Sequence, residues 1–277
     1  MRIPATSPVV VGVTGTPAGL AAVRLGAREA VARGRQLRVV HAVTPPGPSA
    51  SQVVEEAVAT AQRSTPGVRV TGQLVDGPAD RVLLRLSRIA CLLVLGDDDL
   101  ATTRRLAPTS VLIQTVARSW CPVLLARGAR PPSGRLLAAV DGSRAATLAL
   151  RHAAAESRRR RCPVEVVHVV PELGGRLEED GRRLLDAAVA AVPELTAFRV
   201  RLLSGATGPA LVRASGRARL LILGPRGARE AGLLGSVARE VLHRAACPTV
   251  FVHGRAVPAQ RAAGRTGDRV AALNDAP

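Results

Sequence analysis

The sequence predicts an α/β fold in two similar units, each a five-stranded parallel sheet with helices on both faces. Three observations carry that expectation. Short runs rich in Val, Leu and Ile alternate with longer stretches of helical period. The runs are continuously apolar rather than alternating, which marks strands buried on both faces and hence a parallel sheet. The same order of elements also recurs within the 277 residues at a displacement close to 127.

Taken in order, the first half gives strands at 9–13, 37–43, 68–74, 91–95 and 122–126, with helices at 17–33, 50–64, 78–88 and 109–119. The second half gives strands at 136–140, 163–170, 197–203, 219–223 and 248–252, with helices at 145–160, 176–192, 208–216 and 235–246. Val9 to Thr16 (VVVGVTGT) aligns with Leu136 to Ser143 (LLAAVDGS), an apolar strand entering a small-residue turn. Arg38 to Val43 aligns with Glu165 to Val170, which makes His41 and His168 equivalent. Leu92 to Gly96 matches Leu220 to Gly224, and Cys121 to Leu125 matches Cys247 to Phe251. Gly77-Pro-Ala and Gly208-Pro-Ala place a proline just inside a helix start. The expected organisation is a first domain at 1–130, a linker at 131–134, a second domain at 135–253 and a disordered tail at 254–277 that has little to bury.

Composition narrows the function classes. Formal charge is +18, from 39 basic and 21 acidic residues, yet the chain holds no lysine. Arginine spread over both halves reads as GC-rich coding rather than a nucleic-acid surface. Trp120, Phe198 and Phe251 are the whole aromatic set, too few for stacking on single strands or sugars. No apolar run approaches the ~18 residues of a membrane span, so the expected place is the cytoplasm, with no membrane partner. Cys91, Cys121, Cys162 and Cys247 lack C-x-x-C spacing and read as buried thiols. The run Arg158 to Arg161 closes a helix, where cations complement the carbonyl end and stay in solvent. His41 and His168 read as satisfied, partly buried imidazoles.

In an open parallel sheet the ligand crevice lies beyond the C-terminal strand ends, where strand order reverses. Asp141-Gly-Ser143, Val169 at the end of its strand, and Gly224-Pro-Arg226-Gly227 all converge on that edge in the second half. Gly235-Ser236-Val237 then opens a helix, so backbone N–H groups and a hydroxyl face the crevice and favour a phosphate. Arg226 or Arg229 would screen its charge. No nucleophile elbow surrounds either serine, which leaves no catalytic residue to name and slow phosphoryl transfer as the most an enzyme reading supports.

On these residues both halves resemble universal stress protein domains, and the chain resembles the tandem form found in high-GC actinobacteria. The resemblance implies a Rossmann-like, adenine nucleotide alpha hydrolase-like fold. It also implies ATP, with or without Mg²⁺, as ligand, and a nucleotide-responsive stress regulator that meets a protein partner. By that resemblance Asp141 approaches the ribose or metal side, Val169 the adenine, and Gly224, Gly227, Gly235 and Ser236 the phosphates. The family fingerprint has nine residues between Gly-x-x-Gly and Gly-Ser; here seven lie between Gly227 and Gly235, so the phosphate loop is two residues short. The first half keeps the spacing but has Thr14 for Asp and Gly96-Asp97-Asp98-Asp99 for Gly-x-x-Gly. Those carboxylates read as a solvated acidic loop rather than a metal site. The alternative function is a tandem scaffold or interaction module without nucleotide. Family dimers pair through the last strand of the sheet, and the tandem would meet that contact within one chain as a pseudo-dimer, with a homodimer as a further option.

Overall fold

The computed structural model describes residues 6–43, 48–97, 100, 107–127, 134–227 and 232–253. The first half runs β1 (Val9–Gly12), α1 (Pro17–Ala32), β2 (Leu37–Val43), α2 (Pro48–Ser64), β3 (Val70–Asp76), α3 (Ala79–Leu86), β4 (Leu92–Leu95), α4 (Val111–Arg118) and β5 (Val123–Leu125). The second runs β6 (Arg135–Ala139), α5 (Arg144–Arg160), β7 (Val164–Val170), α6 (Gly175–Ala190), β8 (Phe198–Ser204), α7 (Thr207–Ser215), β9 (Ala218–Leu223), α8 (Ser236–Arg244) and β10 (Thr249–Phe251). Arg229, Asp98, Asp99, most of the linker and the tail lie outside the described residues.

Among the described residues ten strands form one sheet in the order β3-β2-β1-β4-β5-β10-β9-β6-β7-β8. Pairing inside each half is parallel, and the halves join through β5 and β10, antiparallel, with Leu124 opposite Val250. Both sheet faces are buried. Val9 and Val11 point into a core under α1, α2, α5 and α6, while Val10, Leu93 and Leu221 point into a second core under α3, α4, α7 and α8. This two-sided burial is why the strands read as unbroken apolar runs. Helix α1 starts cleanly because the Thr16 hydroxyl accepts the Gly19 amide at 3.1 Å and Pro17 supplies a preset φ. Strand β3 sits two residues later than the 68–74 expected, because it pairs with β2 along its whole length, Val43 opposite Asp76.

The joint between halves is built twice over. On one face Glu29 and Arg33 stand 127 residues before Glu156 and Arg160, and the four close a ring across the pseudo-dyad. Each arginine pairs with the glutamate four residues before it and with the other half's glutamate, Arg33 reaching Glu156 at 2.6 Å and Arg160 reaching Glu29. Arg159 also pairs with Glu156. The arginine run stays in solvent at Arg158, Arg159 and Arg161 as expected, and departs from that expectation at Arg160, which is partly covered where it reaches Glu156 and Glu29. Burial alone would raise the Glu156 pKa, but Arg33 and its other cationic neighbours outweigh it and bring it down to about 2. His152, one turn earlier, is pushed down to about 4 by burial against the pull of Glu156. On the other face Arg127 donates to the Leu242 and Ala245 carbonyls at 2.6 and 2.8 Å, closing the C-terminal end of α8. His253, its equivalent, donates to the Val116 carbonyl in α4.

Candidate functional site

At the C-terminal ends of β6, β7 and β9 lies a cavity of about 430 Å³. Its position follows from the strand order, since β6 sends α5 to one face of the sheet while its neighbour β9 leads to α8 on the other. Three helix starts line it: Ser143 and Ala146 of α5, Thr207 of α7, and Val237 and Ala238 of α8. The first-turn amides of a helix have no carbonyl one turn back, and its dipole presents partial positive charge there. The floor is apolar, made of Ala139, Val167, Val169, Leu211 and Leu223.

Each turn at the rim has a local cause. Asp141 Oδ1 accepts the Ser143 amide at 3.0 Å, and Ser143 Oγ accepts the Ala146 amide at 3.1 Å, so one turn closes β6 and caps α5. Between them Gly142 sits at φ 78°, as Gly15 sits at 77° in the first half. Gly224 lies where β9 meets the start of α5; a Cβ there would stand 2.8 Å from the Ala145 Cβ. His168 donates from Nδ1 to the Val140 carbonyl at 2.8 Å, and His41 does the same to Val13. Both histidines are therefore satisfied and partly buried, as the sequence suggested.

Of the residues expected from sequence, Asp141, Ser143, Val169, Gly224, Arg226, Gly227 and Val237 meet around this cavity. Gly235 and Ser236 stand one step outside its lining, at the start of α8. The Gly235 amide is engaged by the Pro225 carbonyl at 2.9 Å, and Arg226 donates to the Gly232 carbonyl at 3.1 Å. The described ends of the short loop are thus tied to each other. Among the described lining residues one carboxylate, Asp141, stands against one guanidinium, Arg226, so the side chains there are balanced in charge and the helix starts supply the partial positive charge. Thr207, Leu211, Ala146 and Ala238 escaped the sequence reading. Gly205 and Gly208 flanking Thr207 were the available signal for one of them.

The first half holds a counterpart of about 130 Å³, lined by Val13, Thr14, His41, Leu83, Gly96 and Leu112 among others. There the Ser110 hydroxyl accepts the Ile113 amide at 3.2 Å and caps α4, whereas Gly235 offers no side chain to cap α8. Asp97 is not a free acidic loop residue: it lies 3.7 Å from Arg127. Among the described residues no cluster of three or more His, Cys, Asp or Glu is placed to hold a metal, and no helix is long and apolar enough to cross a membrane. The four thiols are unpaired and buried, in line with expectation.

Comparison with known proteins places this arrangement. The model of the universal stress protein family matches residues 6–127 and again residues 133–253. Universal stress protein Rv1996 of Mycobacterium tuberculosis is 26% identical over 297 residues, covering 87% of this chain and 93% of that protein. Rv2005c of the same organism is 33% identical over 135 residues, 41% of this chain, and the alignment spans only 46% of that relative's length. The crystal structure of a universal stress protein from Archaeoglobus fulgidus DSM 4304 shares the fold at a TM-score of 0.68, with 16% identity and coverage of 91% of this chain and 98% of that one.

Proposed function

The chain belongs to the universal stress protein family, and from that premise we propose that the crevice of its second half binds ATP or a related adenine nucleotide, making the chain a nucleotide-responsive stress regulator. The observation that carries this reading is the convergence of three helix starts on one apolar-floored cavity of about 430 Å³. An adenine lies flat on Val167, Val169 and Leu211, displacing water from apolar surface. Asp141, exposed at the mouth, accepts from ribose hydroxyls or reaches a phosphate-borne Mg²⁺. The phosphates lie along Gly224 to Gly227 toward the first turn of α8, where backbone amides take negative charge without a lysine. In this reading Gly235 and Ser236 support the phosphate loop from behind.

Thermal unfolding with ATP, ADP and AMP against GTP tests it. A ligand at 100 times its Kd stabilises by about 2.7 kcal/mol, which is roughly 5 °C or more for a chain of this size. Heat-released nucleotide from the purified protein supplies the second readout. No shift at millimolar adenine nucleotide and no retained nucleotide sinks the proposal. A ligandless scaffold is the second reading, favoured by one observation: Pro225 and Gly232 already engage the Gly235 amide and the Arg226 side chain. Under that reading Gly227→Asp changes no ligand assay.

A further inference from the structure

The two crevices share their plan residue by residue, yet differ about threefold in volume. Val13, Thr14, Val40, His41, Leu83, Leu95, Gly96 and Val111 line the smaller one where Val140, Asp141, Val167, His168, Leu211, Leu223, Gly224 and Val237 line the larger. Most of these pairs are identical or differ by little bulk. Among the described lining residues three differences run the wrong way to shrink the first crevice, since Gly12 stands for Ala139, Ala42 for Val169 and Ala79 for Thr207. One difference adds a whole branched side chain. Leu112, in the first turn of α4, occupies the place of Ala238 in the first turn of α8. Leu112 is 3% exposed and packs in the core that also holds Leu83 and Leu95. Its isobutyl group therefore fills space that the second half leaves open above the same apolar floor.

We propose that Leu112 is the specificity-determining residue that limits the chain to one nucleotide, by closing in the first half the crevice that Ala238 leaves open in the second. The inference rests on the nucleotide reading for the size of the wild-type signal. Its steric core does not, because removing the Leu112 branch opens a pocket whichever half binds in the natural chain. The charge of Asp97 does not do the excluding here: it is paired with Arg127, and adenosine, lacking phosphates, meets no repulsion from it.

The test is equilibrium dialysis of adenosine and ATP against the full chain, as wild type, Leu112→Ala, Ala238→Leu and the double exchange, with circular dichroism to confirm folding. Expected are one equivalent for wild type, none for Ala238→Leu, two of adenosine for Leu112→Ala, and one for the double exchange, now in the first half. Two equivalents in wild type, or one in a folded Leu112→Ala, overturns the proposal. Absent binding in wild type overturns the functional reading instead; a new adenosine site in Leu112→Ala then still supports the steric role, and none rejects it. If Leu112→Ala does not fold, Leu112→Val and Ala238→Leu carry the test. Undiminished binding in Ala238→Leu with no gain in Leu112→Val rejects the inference; loss of binding in Ala238→Leu supports it.

Discussion

Replacing His152 by Leu, the residue that stands 127 positions earlier as Leu25, isolates how the inter-half ring responds to acid. His152 lies 3.5 Å from Glu156 but in a place so enclosed, with Arg33 and Arg159 nearby, that its pKa falls from 6.5 to about 4. Its folded pKa is depressed, so the unfolded chain binds the proton first and stability falls as pH drops from about 6.5 toward 4. A tenfold weakening of proton binding corresponds to about 1.4 kcal/mol, which makes the loss at pH 4 about 3 kcal/mol. Glu156, at about 2 instead of 4.5, adds a separate loss beginning below about pH 4.5, of similar size once its folded pKa is passed. Urea unfolding at pH 7, 6, 5 and 4 reads the first limb: wild type is expected to lose about 3 kcal/mol more than His152→Leu over that range. Parallel pH curves for the two proteins refute the argument. So does a His152 ring signal that titrates at or above 6.5, since a protonated His152 paired to Glu156 reverses the sign.

Other consequences follow from contacts already described. Gly224→Ala drives a methyl to within 2.8 Å of the Ala145 Cβ and is expected to cost about 1–3 kcal/mol in thermal or urea unfolding, with ligand present or absent. Arg33→Ala leaves Glu29 and Glu156 short of a cation in a covered place and is expected to cost about 3 kcal/mol, whereas replacing all four ring members with apolar residues is expected to come out near neutral. The Cys121 and Cys247 thiols, both pushed up to about 12 by burial, are expected to resist a disulfide reagent at pH 8 until the chain is unfolded, when both react.

The strands and their parallel order within each half were legible in the sequence, because apolar runs report burial directly, whereas the joining of β5 to β10 was expected only from the family resemblance. The rim of the crevice was legible for a related reason: Asp141, Gly224 and Val169 sit at strand ends, where local sequence fixes geometry. Its floor was not. Leu211 and Ala238 are apolar positions on helices, and nothing in a helical stripe distinguishes a residue facing a hollow from one facing a neighbour. The fates of the Gly235 amide and of Arg226 depend on how a shortened loop folds back, which spacing does not specify. Arg160, read as one of a solvent-facing run, belongs instead to a ring with Glu29, Arg33 and Glu156 whose cross-half bonds span more than a hundred residues. The repeated E-x-x-x-R at equal displacement was the signal that pointed to it.

Because β5 and β10 are neighbours within one polypeptide, every position along their seam has a codon of its own. Two separate but identical subunits would be forced to change in tandem, and dilution would pull them apart; a fused pair holds together at any concentration. The seam records that freedom, for Arg127 and His253 perform matching duties with unlike side chains. Covalent joining let one lobe surrender its hollow to bulk while its twin kept an open one, an asymmetry that no symmetric assembly of a single gene product can inherit.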